Sequence, residues 1–204
     1  MLRVGLTGSI AVGKSFVTSV LGELGCRTID ADAIAREVVA PGSPGLAAVI
    51  KGFGSGVLAN EGTLDRKKLA AIVFSDESRR RQLNSILHPF ILARQDELLR
   101  EWEFEDPEGV AVVDAALMIE SGGFRRFDKI IVVHCRPEIQ LQRLIERDGL
   151  AMEEAEKRIS SQVSQEEKLK FADYRIDTSD GFEDTRRQTE DVYHQLRQLS
   201  ATEN

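Results

Sequence analysis

The chain has 204 residues, enough for one domain with a full hydrophobic core and a smaller inserted lobe, and too few for two ordinary domains. Apolar residues make up 42% and charged residues 30%, close to the averages for soluble globular proteins, which argues against disorder and collagen-like structure. The net charge of −7 argues against a nucleic-acid protein whose affinity rests on a large basic surface, although a cleft in an acidic protein can still hold a positive field for a phosphorylated substrate.

From the amino end, residues 2–6 form a short apolar run that reads as a strand and leads into Gly8-Ser9-Ile10-Ala11-Val12-Gly13-Lys14-Ser15. This octapeptide matches GxxxxGK[ST], and a helical pattern over 14–24 follows it, so the strand, loop, helix context of a phosphate-binding loop is complete. Gly8 and Gly13 let successive N–H groups turn inward around phosphate oxygens at the positive end of a helix. Lys14 can reach the β- and γ-phosphates of ATP, and the Ser15 hydroxyl can hold Mg²⁺. Gly8, Ala11, Val12, Gly13, Lys14, Ser15 and Phe16 make up the candidate ATP site, with the Phe16 ring expected to pack against the core.

The second strand, 27–29, runs into Asp30-Ala31-Asp32 and a helix over 32–39. In doubly wound sheets the carboxyl ends of the strands line the ligand crevice. A carboxylate there can take the acceptor hydroxyl's proton as phosphoryl transfer proceeds, and Asp32 is the candidate base. The alternative is that Asp30 or Asp32 only caps the helix. Helical patterns over 46–53, 66–73 and 78–102 then follow without a strand, which predicts an inserted helical lobe over about 42–102. Arg79-Arg80-Arg81 on this stretch reads as a solvated helix face.

The third strand, 110–113, closes on Asp114, placed like a Walker-B acid that reaches Mg²⁺ through a water; the alternative is a strand-end turn residue. A fourth strand over 129–134 precedes a helix over 137–148, on which Arg143 and Arg147 lie four apart and share one face. They are candidates for neutralising charge on the moving phosphoryl group, against the alternative of an ordinary solvated pair. Two polar helical stretches within 149–171, carrying Glu153, Glu154, Glu156, Lys157, Arg158, Glu166, Glu167, Lys168 and Lys170, read as a solvated lid. A strand over 174–176 and a helix over 182–199 close the chain, so the core comprises about 1–41, 103–148 and 172–204.

Strands that alternate with helices, some of them near-continuously apolar, imply a doubly wound α/β fold with a buried parallel sheet. No GxGxxG opens a helix after a strand, and no Asn-Lys guanine-reading motif occurs, which disfavours dinucleotide enzymes and GTPase switches. Cys26 and Cys135 lie far apart beside apolar runs, which predicts two buried free thiols and no zinc. No apolar run approaches the roughly 20 residues that cross a bilayer. A cytoplasmic protein without membrane or nucleic-acid partners, a monomer or small homo-oligomer, is expected.

Motifs in order along nearly the whole chain resemble the dephospho-coenzyme A kinase family. They include the phosphate loop, Ile29-Asp30-Ala31-Asp32-Ala33-Ile34-Ala35-Arg36-Glu37, Leu64-Asp65-Arg66-Lys67-Lys68-Leu69 and Leu83-Asn84-Ser85-Ile86-Leu87-His88-Pro89. Glu120-Ser121-Gly122, Arg147-Asp148-Gly149, Ser161-Gln162 and Glu167-Lys168 continue the likeness. The resemblance implies a P-loop kinase with a nucleotide core, a helical acceptor-binding insertion and a lid, which uses Mg²⁺ and ATP to phosphorylate dephospho-coenzyme A. It also implies that Asp32 is the base on the ribose 3′-hydroxyl, with Arg66 and His88 helping to hold the acceptor and Arg79-Arg80-Arg81 as candidates to meet its phosphates. Taken alone, His88 before a proline reads as a helix-end packing residue. Ser9 and Ala11 stand where the family commonly has glycine and Phe16 where it has threonine, and an asparagine common near the adenine pocket is missing from 177–181. Two rival readings are a different P-loop small-molecule kinase, of nucleoside monophosphate or pantothenate type, and a nucleotide-binding regulator.

Overall fold

Alternate residues of the first strand, Leu2, Val4 and Leu6, are buried together with Val110 and Val112 of the third and Ile131 and Val133 of the fourth. A strand sends successive side chains to opposite faces, so these residues build one apolar face. In the computed structural model, which describes residues 1–202, that face belongs to a sheet of β1 (Leu2–Thr7), β2 (Arg27–Asp30), β3 (Val110–Asp114), β4 (Lys129–His134) and β5 (Tyr174–Asp177). The strand order is β2-β3-β1-β4-β5, and every pairing is parallel.

The helices are α1 (Lys14–Glu23), α2 (Ala31–Glu37), α3 (Pro44–Phe53), α4 (Arg66–Ser75), α5 (Glu77–Glu105), α6 (Pro137–Asp148), α7 (Met152–Ser160), α8 (Gln165–Leu169) and α9 (Phe182–Thr202). Val17 and Leu21 of α1 and Val192 and Leu196 of α9 close over the face just described. The intervening strand residues Ile130 and Val132 point the other way, into a layer formed by Met118, Phe124, Phe127 and Leu169. Gly5 makes that second layer possible, because a Cβ there would lie 2.5 Å from Met118 Sδ and 2.8 Å from Ile130 Cδ1. Strand after strand with helices on both faces is the expected doubly wound α/β architecture.

The chain divides into two compact units, one of residues 1–30 with 102–204 and one of residues 31–101. The second has its own core of Val39, Leu46, Val49, Val57 and Leu69. Its helices start where their caps dictate. Ser43 accepts the Leu46 N–H ahead of Pro44, and Asp65 accepts the Lys67 and Lys68 N–H groups. Helix α5 runs past His88, as the pattern over 78–102 predicts, so His88 is not the helix-end packing residue that it resembles when taken alone. It continues through Pro89, and both residues are exposed within the helix. A proline on the solvent side breaks one backbone hydrogen bond without stopping a helix whose other face is held by Leu83, Ile86 and Leu87 on one side and Leu99 on the other. The last turn runs past Trp102, and there Glu103 and Glu105 pair with Arg3 and Arg27 at 2.8 and 2.7 Å. Among the described residues, no helix is long and apolar enough to cross a membrane.

Candidate active site

The turn from β1 into α1 is built by close approach and by left-handed backbone. A Cβ on Gly8 would lie 2.3 Å from the Val133 carbonyl oxygen, so only glycine lets the loop leave β1 against β4. Gly13 caps α1 with φ of 90°, a conformation that glycine adopts without steric conflict. Ala11 takes φ of 61° despite its Cβ. Helix α1 thus begins with its positive end at this turn, an arrangement that favours a bound anion.

Beside it lies a cavity of about 500 Å³ lined by Ala11, Val12, Gly13, Lys14, Ser15, Arg143, Glu146 and Arg147. The structure thus brings five of the seven expected nucleotide-site residues together with both arginines of α6. Gly8 shapes the loop from outside the cavity. Phe16 also lies outside it, and its ring does not reach the core as expected. The buried stripe of α1 is Val17, Val20 and Leu21, and Phe16, one residue earlier, turns about 100° away. Its ring instead meets Phe182, 4.9 Å between centroids, at the exposed start of α9.

The two arginines are held differently. Arg143 donates from both terminal nitrogens to Thr178, to the hydroxyl and to the carbonyl, at 2.8 Å each. Arg147 forms a two-point pair with its neighbour Asp148 at 2.8 and 3.1 Å, and Arg158 of α7 donates to the same carboxylate at 3.2 Å. The Arg147 hydrogen bonds, backed by both positive charges, hold the Asp148 carboxyl below its ordinary range.

Asp114 ends β3 in register with Asp30 at the end of β2. Thr18 Oγ1 donates to Asp114 Oδ2 at 3.0 Å. Thr18 follows Ser15 by three residues on α1, so the hydroxyl of Ser15 and the carboxylate of Asp114 are associated with adjacent turns of one helix face. Asp32, Arg66 and His88 belong to the unit of residues 31–101. There Asp32 lies exposed in the first turn of α2, two residues beyond the end of β2. Arg66 opens α4 and donates to the Arg36 carbonyl at 3.4 Å, and His88 is exposed on α5. Arg79 and Arg80 of the same helix are exposed, with Arg79 over the Phe53 ring and Arg80 beside Glu77.

Three features escaped the sequence reading. Thr18 and Thr178 carry no motif that marks them. Lys168, read as one of a solvated charge run, is instead fully buried, and its ammonium donates to Glu120 at 2.8 Å and to the Ala116 carbonyl at 2.7 Å. The polar spacing of α8 conceals one inward residue, since a five-residue helix shows too little period to separate its faces.

A family model described as dephospho-CoA kinase matches residues 2–184. The dephospho-CoA kinase of Leifsonia xyli is 45% identical over 97% of this chain and 100% of its own length. That of Streptomyces avermitilis is 44% identical over 96% and 94%. Among solved structures, the dephospho-CoA kinase from Campylobacter jejuni superposes with a TM-score of 0.73 at 31% identity, covering 97% of this chain and 98% of that one. With a phosphate loop, a facing pair of arginines and relatives of this closeness over almost its full length, the chain belongs to the dephospho-CoA kinase family.

Proposed function

We propose that the protein transfers the γ-phosphoryl group of ATP to the ribose 3′-hydroxyl of dephospho-coenzyme A, giving coenzyme A and ADP as the last step of coenzyme A synthesis. The observation that carries this reading is the cavity shared by phosphate-loop residues 11–15 and the two arginines of α6, in a chain of this family. Backbone N–H groups of the loop and the Lys14 ammonium receive the β- and γ-phosphates. Arg147 exchanges Asp148 for the transferring phosphoryl group, while Arg143 keeps the loop that follows β5 against the nucleotide.

Asp32 accepts the proton of the acceptor hydroxyl. Its support is its place just beyond the carboxyl end of β2, where ligands of doubly wound folds bind. The unit of residues 31–101 binds the acceptor, with Arg66 and His88 as contacts, and residues 149–171 form the lid.

The donor set suits Mg²⁺ brought in with the nucleotide. Ser15 and Asp114 offer hard oxygen ligands, and no group of three or more His, Cys, Asp or Glu able to hold a metal occurs among the described residues. Magnesium needs no such cage, because waters and substrate phosphates complete its shell. When bound, Mg²⁺ offsets the charge on the β- and γ-phosphate oxygens. The enzyme is read as cytoplasmic, and as a monomer or small homo-oligomer.

The deciding experiment measures ADP release with Mg²⁺-ATP alone and with dephospho-coenzyme A, AMP or pantothenate added. Stimulation by dephospho-coenzyme A alone, with a product of coenzyme A mass, is expected. Stimulation by a different acceptor would overturn the substrate, and none with any acceptor would overturn the kinase reading.

A further inference from the structure

The peptide group of Ile10 is gripped at both ends by glutamine side chains. Its N–H donates to Gln162 Oε1 at 2.8 Å, and its carbonyl accepts from Gln140 Nε2 at 2.8 Å. Gln140 is 2% exposed. Its oxygen accepts from Gln165 Nε2 at 2.7 Å, and Gln165 in turn accepts the Cys135 N–H at 2.9 Å. Two residues along the loop, the Val12 carbonyl accepts from the buried Thr178 hydroxyl at 2.8 Å. Between these two pinned neighbours sits Ala11, the one non-glycine residue with positive φ among the described residues. Such a conformation is strained by its Cβ and persists only where the surroundings over-determine it.

We propose that Gln140, Gln162 and Thr178 are positioning residues that hold Ala11 left-handed, and so preorganise the N–H groups of the phosphate loop for the triphosphate. This rests on the reading of the loop as the ATP site. Gln162 lies between α7 and α8, in a segment that is itself seated from two directions. The Ser9 hydroxyl donates to the Val163 carbonyl at 3.4 Å, and the Val163 N–H donates to Glu120 Oε1 at 3.2 Å. Glu120 is the partner of buried Lys168. When this segment lifts, Gln162 leaves Ile10 and one pin on the strained residue is lost. Loop order and the seating of residues 162–168 are therefore coupled.

The test is steady-state kinetics on Gln162→Met, with and without Ala11→Gly, each compared with its own Gln162 parent. Methionine keeps the length and removes the acceptor. Gln162 is half-buried, so this variant carries the test even where substitution of buried Gln140 prevents folding. KM for ATP is expected to rise about ten-fold, the scale of one left-handed alanine, with kcat and the acceptor's KM within about two-fold. In the Ala11→Gly background the rise shrinks to about two-fold, because glycine takes the conformation unaided. An unchanged KM, or an equal rise in both backgrounds, overturns the proposal. If the parent protein turns over no ATP, the functional reading fails instead. Hydrogen exchange at the Ile10 amide then judges the pin alone: faster exchange in Gln162→Met supports it and unchanged exchange rejects it.

Discussion

Thr18 Oγ1 donates to Asp114 Oδ2 across 3.0 Å, tying the second turn of α1 to the end of β3. The hydroxyl fixes the rotamer of the carboxylate proposed to meet Mg²⁺ through a water, much as an outer partner orients a metal ligand. Thr18→Val removes the donor at nearly constant volume. It is expected to raise the Mg²⁺ concentration for half-maximal activity by about ten-fold, the low end for loss of such a partner. Thr18→Ser should restore the parent value. A magnesium titration at saturating ATP and acceptor checks both, and an unshifted Thr18→Val curve would remove Asp114 from the metal's surroundings.

Lys14 and Asp32 are expected to fail in different ways. Lys14→Ala removes positive charge from the cavity and should abolish phosphoryl transfer, because electrostatic stabilisation dominates this chemistry. Asp32→Asn should keep ATP affinity, read by calorimetry, while kcat falls by about 10²–10⁴, the usual contribution of a general base. Near-normal turnover in Asp32→Asn would reduce the carboxylate to a helix cap.

The nucleotide half of the site was legible because its chemistry is local. Eight consecutive residues, Gly8 to Ser15, carry the loop, and Arg143 and Arg147 share a face by helical spacing alone. What holds the loop was not legible, because its partners are remote in sequence: Gln140, Gln162 and Thr178 reach Ile10 and Val12 across 130, 152 and 166 residues. Tertiary pairing also overrode local pattern at one place. Lys168 looked solvated until Glu120 and Ala116 were brought beside it. His88 before Pro89, taken alone, looked like a helix end, whereas the helix runs through both, as the longer pattern over 78–102 implied.

The ion pair between buried Lys168 and the partly exposed Glu120 makes a stability prediction with a clear sign. The carboxylate left by Lys168→Met still reaches water, whereas Glu120→Gln strands the ammonium of Lys168, whose side chain is 0% exposed, so it should destabilise by about 3 kcal/mol. For a chain of this size that lowers Tm by roughly 6–12 °C. Adding Lys168→Met removes the stranded charge and should recover part of the loss, since the amide oxygen at position 120 can still accept the Val163 N–H. Thermal melts of the two single variants and the double variant give the coupling directly.

Both cysteines are buried and free. Burial pushes the Cys26 thiol up to about 12, with Arg197 offsetting a little, and it also raises Cys135. A thiol stays neutral below its pKa, so neither group ionises between about pH 6 and pH 8, still below the ordinary thiol value. Neither contributes a pH dependence to stability there. A thiol-specific reagent at pH 8 should find no fast-reacting site in the folded protein and both cysteines after denaturation. A fast-reacting native thiol would mean that one of the two pockets opens readily.

Ala11 offers a test of stored strain that needs no ligand. Its φ of 61° places Cβ against the following carbonyl, a conflict worth about 1–2 kcal/mol that glycine lacks. Glycine also adds about 0.4–1 kcal/mol of freedom to the unfolded chain, which opposes the relief. The difference favours Ala11→Gly by about 0.5 kcal/mol, or roughly 1–2 °C in Tm. Ala11→Val moves the other way and further, because a β-branched side chain tolerates positive φ least. Urea unfolding of the three proteins should rank glycine above alanine above valine at this position. A less stable Ala11→Gly protein would show that the Ile10 and Val12 pins do not hold residue 11 against strain, and that the ordered loop depends on what alanine denies the unfolded chain.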